Sequence, residues 1–97
     1  MDPQYSSSIQ QLIEKAAYYR ETLAVSQDGI TTCMEFEQQY SDMMKWEQEN
    51  HKSMGVDYCK LSDKNKKDLA FYQKTAMKSQ KKLDKVLEKA DKLGIVA

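Results

Sequence analysis

The sequence predicts an all-α fold: an antiparallel three-helix bundle or helical hairpin with a long C-terminal helix and coiled-coil-like packing. Three observations predict it. Glycine and proline are scarce, three and one in 97 residues, so little interrupts a helix. Lys, Glu, Gln, Ala and Met, all good helix formers, are abundant. Apolar residues recur at three- and four-residue intervals rather than in alternation.

The first helix is expected over about 8–27. Ser8 and Gln11 fit a capping box. Ile9, Leu12, Ile13, Ala16, Ala17, Tyr19, Leu23 and Ala24 make its inner face, and Asp28-Gly29 reads as the turn that ends it. The second is expected over 32–54, opened by Thr32 and Glu35 and closed by Gly55. Cys33, Phe36, Tyr40, Met43, Met44 and Met54 form its apolar arc, with Trp46 at the edge. The third, over 62–93, is capped by Ser62-Asp63 and stopped by Gly94-Ile95. Leu69, Tyr72, Ala76, Leu83, Val86, Leu87, Ala90 and Leu93 line its inner face.

The length suits one domain, residues 1–97. Short loops make neighbouring helices antiparallel. The third helix is ~48 Å long against ~31–36 Å for the others, so its end is expected to overhang. Leu87, Ala90, Leu93, Ile95 and Val96 would then be left for another chain.

No run approaches the ~18 apolar residues of a membrane span. The N-terminal MDPQYSSSIQ has no signal-peptide pattern, so a cytoplasmic chain is expected, with export that uses no cleaved signal left open. Cys33 and Cys59 lack metal or redox spacing and read as reduced thiols. Glu47 and His51, four apart on one face, carry no metal expectation without further ligands, and no nucleophile–base arrangement is legible. No enzyme, metal or cofactor is expected.

The formal charge is zero, but residues 1–58 carry ten acidic and four basic side chains, and 59–97 carry five and eleven. Projected at ~100° per residue, Lys60, Lys64, Lys67, Lys74, Lys78, Lys81, Lys82, Lys85, Lys89 and Lys92 form one stripe opposite the apolar face. Such a stripe is first of all a solvated face. Phe71 lies within it, an aromatic ringed by lysines, as at the centre of a binding patch. Glu35, Asp42 and Glu49, seven apart, form an acidic stripe suited to steering association. Tyr18 and Val25 project away from the first helix's core arc. The candidate partner-binding residues are Lys67, Phe71, Lys74, Lys78, Lys85, Leu87, Leu93 and Tyr18. An Arg20–Glu37 ion pair across the expected turn is the candidate register-fixing contact.

A chain near 100 residues, with a glycine near its midpoint and helices on both sides, resembles the small secreted helical-hairpin proteins with a W-x-G turn. Here the tripeptide is Ser53-Met54-Gly55; its tryptophan is missing, and Trp46 falls within the second helix. The likeness rests on one glycine and a length.

The expected function is non-enzymatic: an adaptor, chaperone or small subunit that holds a partner, or a second copy, through helix faces. The alternative is a nucleic-acid-binding domain using the lysine stripe, disfavoured by neutral charge and by the absence of arginine from the third helix.

Overall fold

A computed structural model describes residues 7–94. Among them the chain forms two helices, α1 (Ser7–Asn50) and α2 (Tyr58–Lys92), packed antiparallel as a hairpin. The molecule is a slab of 71 × 22 × 16 Å. The three-helix expectation is corrected: its first two helices are one continuous helix of 44 residues.

The break expected at Asp28-Gly29 does not occur. The hydroxyls of Thr22, Ser26 and Thr31 turn back onto the carbonyls four residues earlier, so they cap no new helix. Gly29 serves close packing instead of a turn. A Cβ there would lie 2.7–2.8 Å from the ring of Tyr72, which rests flush on the α1 backbone. Thr32, the expected cap, sits in mid-helix.

The real turn comes at 51–57. His51 takes a left-handed φ of 49°, the Lys52 N–H bonds back to the Glu47 carbonyl, and the helix stops there rather than at Gly55. The Glu47 carboxylate accepts from the Met54 N–H at 2.8 Å, and Gly55 supplies a second positive φ, 74°. Asp57, not Ser62-Asp63, caps α2, accepting from the Lys60 N–H at 3.0 Å. Ser53-Met54-Gly55 lies in this turn, and α1 before it is unbroken.

The seam follows a strict 3–4 spacing. In α1 it runs Leu12, Ala16, Tyr19, Leu23, Ser26, Ile30, Cys33, Glu37, Tyr40 and Met44; in α2, Tyr58, Ser62, Asn65, Leu69, Tyr72, Ala76, Ser79, Leu83, Val86 and Ala90. Every one is buried or half-buried, which is the pattern of a two-stranded coiled coil. Ala16, Leu83 and Val86 are the best-buried cluster, with Leu12, Tyr19, Leu23 and Leu87 packed around them, so the apolar core sits at the open end. The expected overhang is thereby corrected: Leu87 and Ala90 pack on α1, and only Leu93 stays exposed at the α2 terminus. Ile95 and Val96 lie outside the described residues.

Nearer the turn the seam is polar. Ser62 Oγ donates to Glu37 Oε1, and Asn65 Nδ2 donates to both Glu37 Oε2 (3.0 Å) and the Cys33 carbonyl (2.7 Å). Lys66 Nζ stands 3.8 Å from Glu37. Glu37 therefore pairs across the hairpin with α2. Arg20, seventeen residues away along the same helix and ~25 Å distant, is not its partner. A polar layer of this kind pins register, because any slip leaves half-buried groups unsatisfied.

Two outcomes follow. Gly29→Ala lowers stability, yet in a Tyr72→Ala background it raises it by about 1 kcal/mol, the helix-propensity gain alone; a denaturant double-mutant cycle reads the sign change. The Glu37 carboxyl is held below its ordinary value, first by the Ser62 hydrogen bond, then by Asn65, with Lys66 adding a smaller contribution. A depressed carboxyl stabilises fully above the unfolded value and less as pH falls through the folded one. The stability gap between the parent and Glu37→Gln should thus be widest near neutrality and close below about pH 4 in urea titrations.

Candidate interaction surface

A two-helix hairpin has two broad faces and two edges. The seam positions settle which residues occupy each. On one broad face α1 presents Tyr18, Thr22, Val25, Gly29, Thr32, Phe36, Gln39, Met43 and Trp46, with no charged residue among them. From α2 the same face receives Leu61, Phe71 and Thr75 alongside Asp68, Lys82, Lys64, Lys78 and Lys85. Tyr18 (63% exposed), Val25 (61%) and Phe71 (64%) stand proud of it, and Phe36, Trp46 and Leu61 are also exposed. Between the two helices Tyr18, Val25, Phe71 and Tyr72 wall a shallow groove of about 330 Å³ floored by Ser26, with Glu21 also lining it. The opposite broad face offers only the isolated Met34 and Met77 as large exposed apolar side chains in the helices.

The edges are oppositely charged. With α1 unbroken, the acidic stripe extends well beyond Glu35, Asp42 and Glu49: Glu14, Glu21 and Asp28 continue it at the same seven-residue interval, all exposed. In a coiled coil this interval holds one direction, so six carboxylates line one edge. Lys60, Lys67, Lys74 and Lys81 run along the other, joined by Lys64, Lys78 and Lys85 at its border with the broad face. The hairpin is charged across its width.

The sequence-predicted residues distribute over this frame. Tyr18 and Phe71 come together across the groove. Lys67 and Lys74 sit on the basic edge, with Lys78 and Lys85 where it meets the broad face. Leu87 is half-buried in the core cluster, and Leu93 lies apart at the C-terminal end. Sequence reasoning did not single out Thr22, Gly29, Thr32 or Phe36 as surface. The expected break at residue 29 hid the continuous strip, and a projection through one unbroken helix would have revealed it.

Chemically reactive groups are sparse. His51 lies in the turn, and among the described residues no cluster of His, Cys, Asp or Glu could hold a metal ion. Cys33 and Cys59 are free thiols. Burial, and to a lesser degree the charge of Asp68, pushes the Cys33 thiol up, whereas Cys59 is exposed beside the Met44 sulfur at 3.9 Å. No helix among the described residues is long and apolar enough to cross a membrane.

Comparison with known proteins returns no family, no curated relative and no solved structure that matches this chain. With a thiol-specific reagent near neutral pH, Cys59 should label rapidly, and Cys33 should label only as the hairpin opens, so its rate should fall as the hairpin is stabilised.

Proposed function

We propose that the hairpin is a non-enzymatic protein–protein interaction module, an adaptor, chaperone or small subunit that works by helix-to-helix packing. One observation carries this reading: a long face free of charge on α1, crowned by exposed aromatic and β-branched side chains, between two edges of opposite charge. Exposed apolar surface of that extent is costly in water and is characteristic of contact with other chains. Threonines between the larger side chains leave shallow gaps into which a neighbouring helix can set its own.

A second reading, nucleic-acid binding along the basic edge, is favoured by the lysine row and opposed by the acidic row and by the lack of arginine in α2. The two are separated by photo-cross-linking in the cells that make the protein, with a benzophenone amino acid placed in turn at Tyr18, Val25 and Phe71, at Lys74, and at Gln38 on the opposite face. Discrete protein adducts confined to the first three positions are expected. Adducts only at Lys74, sensitive to nuclease, would replace the proposal with the second reading. Absence of adducts at every position would remove both.

A further inference from the structure

We infer that the partner on the broad face is a second copy of this chain, stacked so that α1 of each protomer lies over α2 of the other in a four-helix bundle. This rests on the reading of the broad face as an interaction surface and goes beyond it by naming the occupant and its orientation.

The argument is one of symmetry and charge. Two identical slabs can meet face to face about a twofold axis in two simple ways. If the axis runs across the helices, α1 covers α1 and α2 covers α2, which puts acidic edge on acidic edge and lysine edge on lysine edge. If the axis runs along the helices, α1 covers α2 at both sides, and each acidic edge meets a basic one. Only the second arrangement complements itself, since like-charge juxtaposition opposes the first.

The axial register supports the same arrangement. Within the hairpin the level partners are fixed by contact: Glu37 with Asn65, Gly29 with Tyr72, Tyr19 with Lys82. Stepping by heptads from these, Glu21 is level with Lys81, Asp28 with Lys74, Glu35 with Lys67, and Asp42 with Lys60. A twofold axis along the helices keeps those levels, so all four carboxylates fall beside an ammonium of the other protomer. Glu14 is the exception, level with Glu88, although Lys85 and Lys92 lie one turn to either side.

The surfaces that meet are also matched in shape and polarity. Each uncharged strip on α1 covers Phe71, Thr75, Asp68, Lys82 and the aliphatic stems of Lys64, Lys78 and Lys85, and the ammonium groups of the last three extend past the contact to the acidic edge. Phe71 of one copy arrives at the level of a shallow pocket of about 230 Å³ on the other, lined by Gly29, Thr32, Phe36, Asp68 and Tyr72. The face measures 71 by 22 Å, and about half of it supplies the ~800 Å² per partner of a stable interface.

The test is light scattering behind a sizing column, on the full chain, at low and high salt. The expected species has twice the 11.3 kDa chain mass at both, because the contact is apolar at its centre. Val25→Glu with Phe71→Glu should return it to a monomer whose helical circular dichroism is unchanged. Reversing one edge (Glu21→Lys, Asp28→Lys, Glu35→Lys) should weaken the dimer at least tenfold at low salt. Mixing that chain with one carrying Lys67→Glu, Lys74→Glu and Lys81→Glu should restore it. A monomeric parent chain overturns self-pairing, while the cross-linking experiment still decides whether the broad face binds a different protein. A dimer indifferent to edge reversal, or strengthened by it, overturns the α1-over-α2 stack.

Discussion

A molecule of two helices has no interior. Each helix can bury only the strip that faces the other, and that strip is about two side chains wide. No large side chain among the described residues is completely enclosed. The rest of the structure depends on this constraint. To gain stability from so narrow a contact the helices must approach closely, and close approach demands small residues in the seam. Ala16, Ser26, Cys33, Ser62, Ser79 and Ala90 meet that demand, and Gly29 meets it in extreme form beneath the Tyr72 ring. Serine and asparagine are small enough to serve but bring polar groups with them. Those groups are satisfied within the helix, as Ser26 is by the Thr22 carbonyl, or across the seam, as Ser62 and Asn65 are by Glu37.

The same constraint explains what could be read from the sequence. Helical character was fully legible, because propensity and the spacing of apolar residues act locally. The apolar part of the inner face of α2, from Leu69 to Ala90, was legible because leucine, valine and alanine mark it, whereas its buried polar members Ser62, Asn65 and Ser79 were not. The continuity of α1 was not. Ser26, Asp28, Gly29, Thr31 and Thr32 form a cluster that ordinarily ends a helix, and only a contact from forty residues further on, the Tyr72 ring on Gly29, explains why it does not. His51 stopped α1 unannounced, because a left-handed residue without glycine leaves no mark in the sequence. Ser62 was misread as a cap because its true partner, Glu37, becomes a neighbour only once the hairpin is assembled.

The surface was half legible for the same reason. The lysine row could be projected from one helix alone and was. Its acidic counterpart emerged only in part, since Glu14 and Glu21 fell in what read as a separate helix and Asp28 in what read as a turn. Once α1 is seen as a single rod, the chain's division into an acidic first half and a basic second half becomes a spatial division between two parallel edges. A linear charge gradient has been folded into a transverse one, and the uncharged strip lies beside it as a third, separate surface.

The placement of the apolar cluster has a consequence for how the chain reaches this shape. Leu12, Ala16, Leu83 and Val86 lie at the open end, joined through nearly the whole length of the chain, so forming their contacts first would mean closing the largest loop available. Closing the short turn at 51–57 costs far less, and pairing then spreads outward from it. The first layers so formed contain Tyr58, Ser62, Asn65 and Glu37, where hydrogen bonds rather than apolar burial reward contact. Assembly must begin where it gains least and finish where it gains most. The polar layers select the right register early, while errors are still cheap to undo, and the apolar end closes only on a hairpin already in alignment.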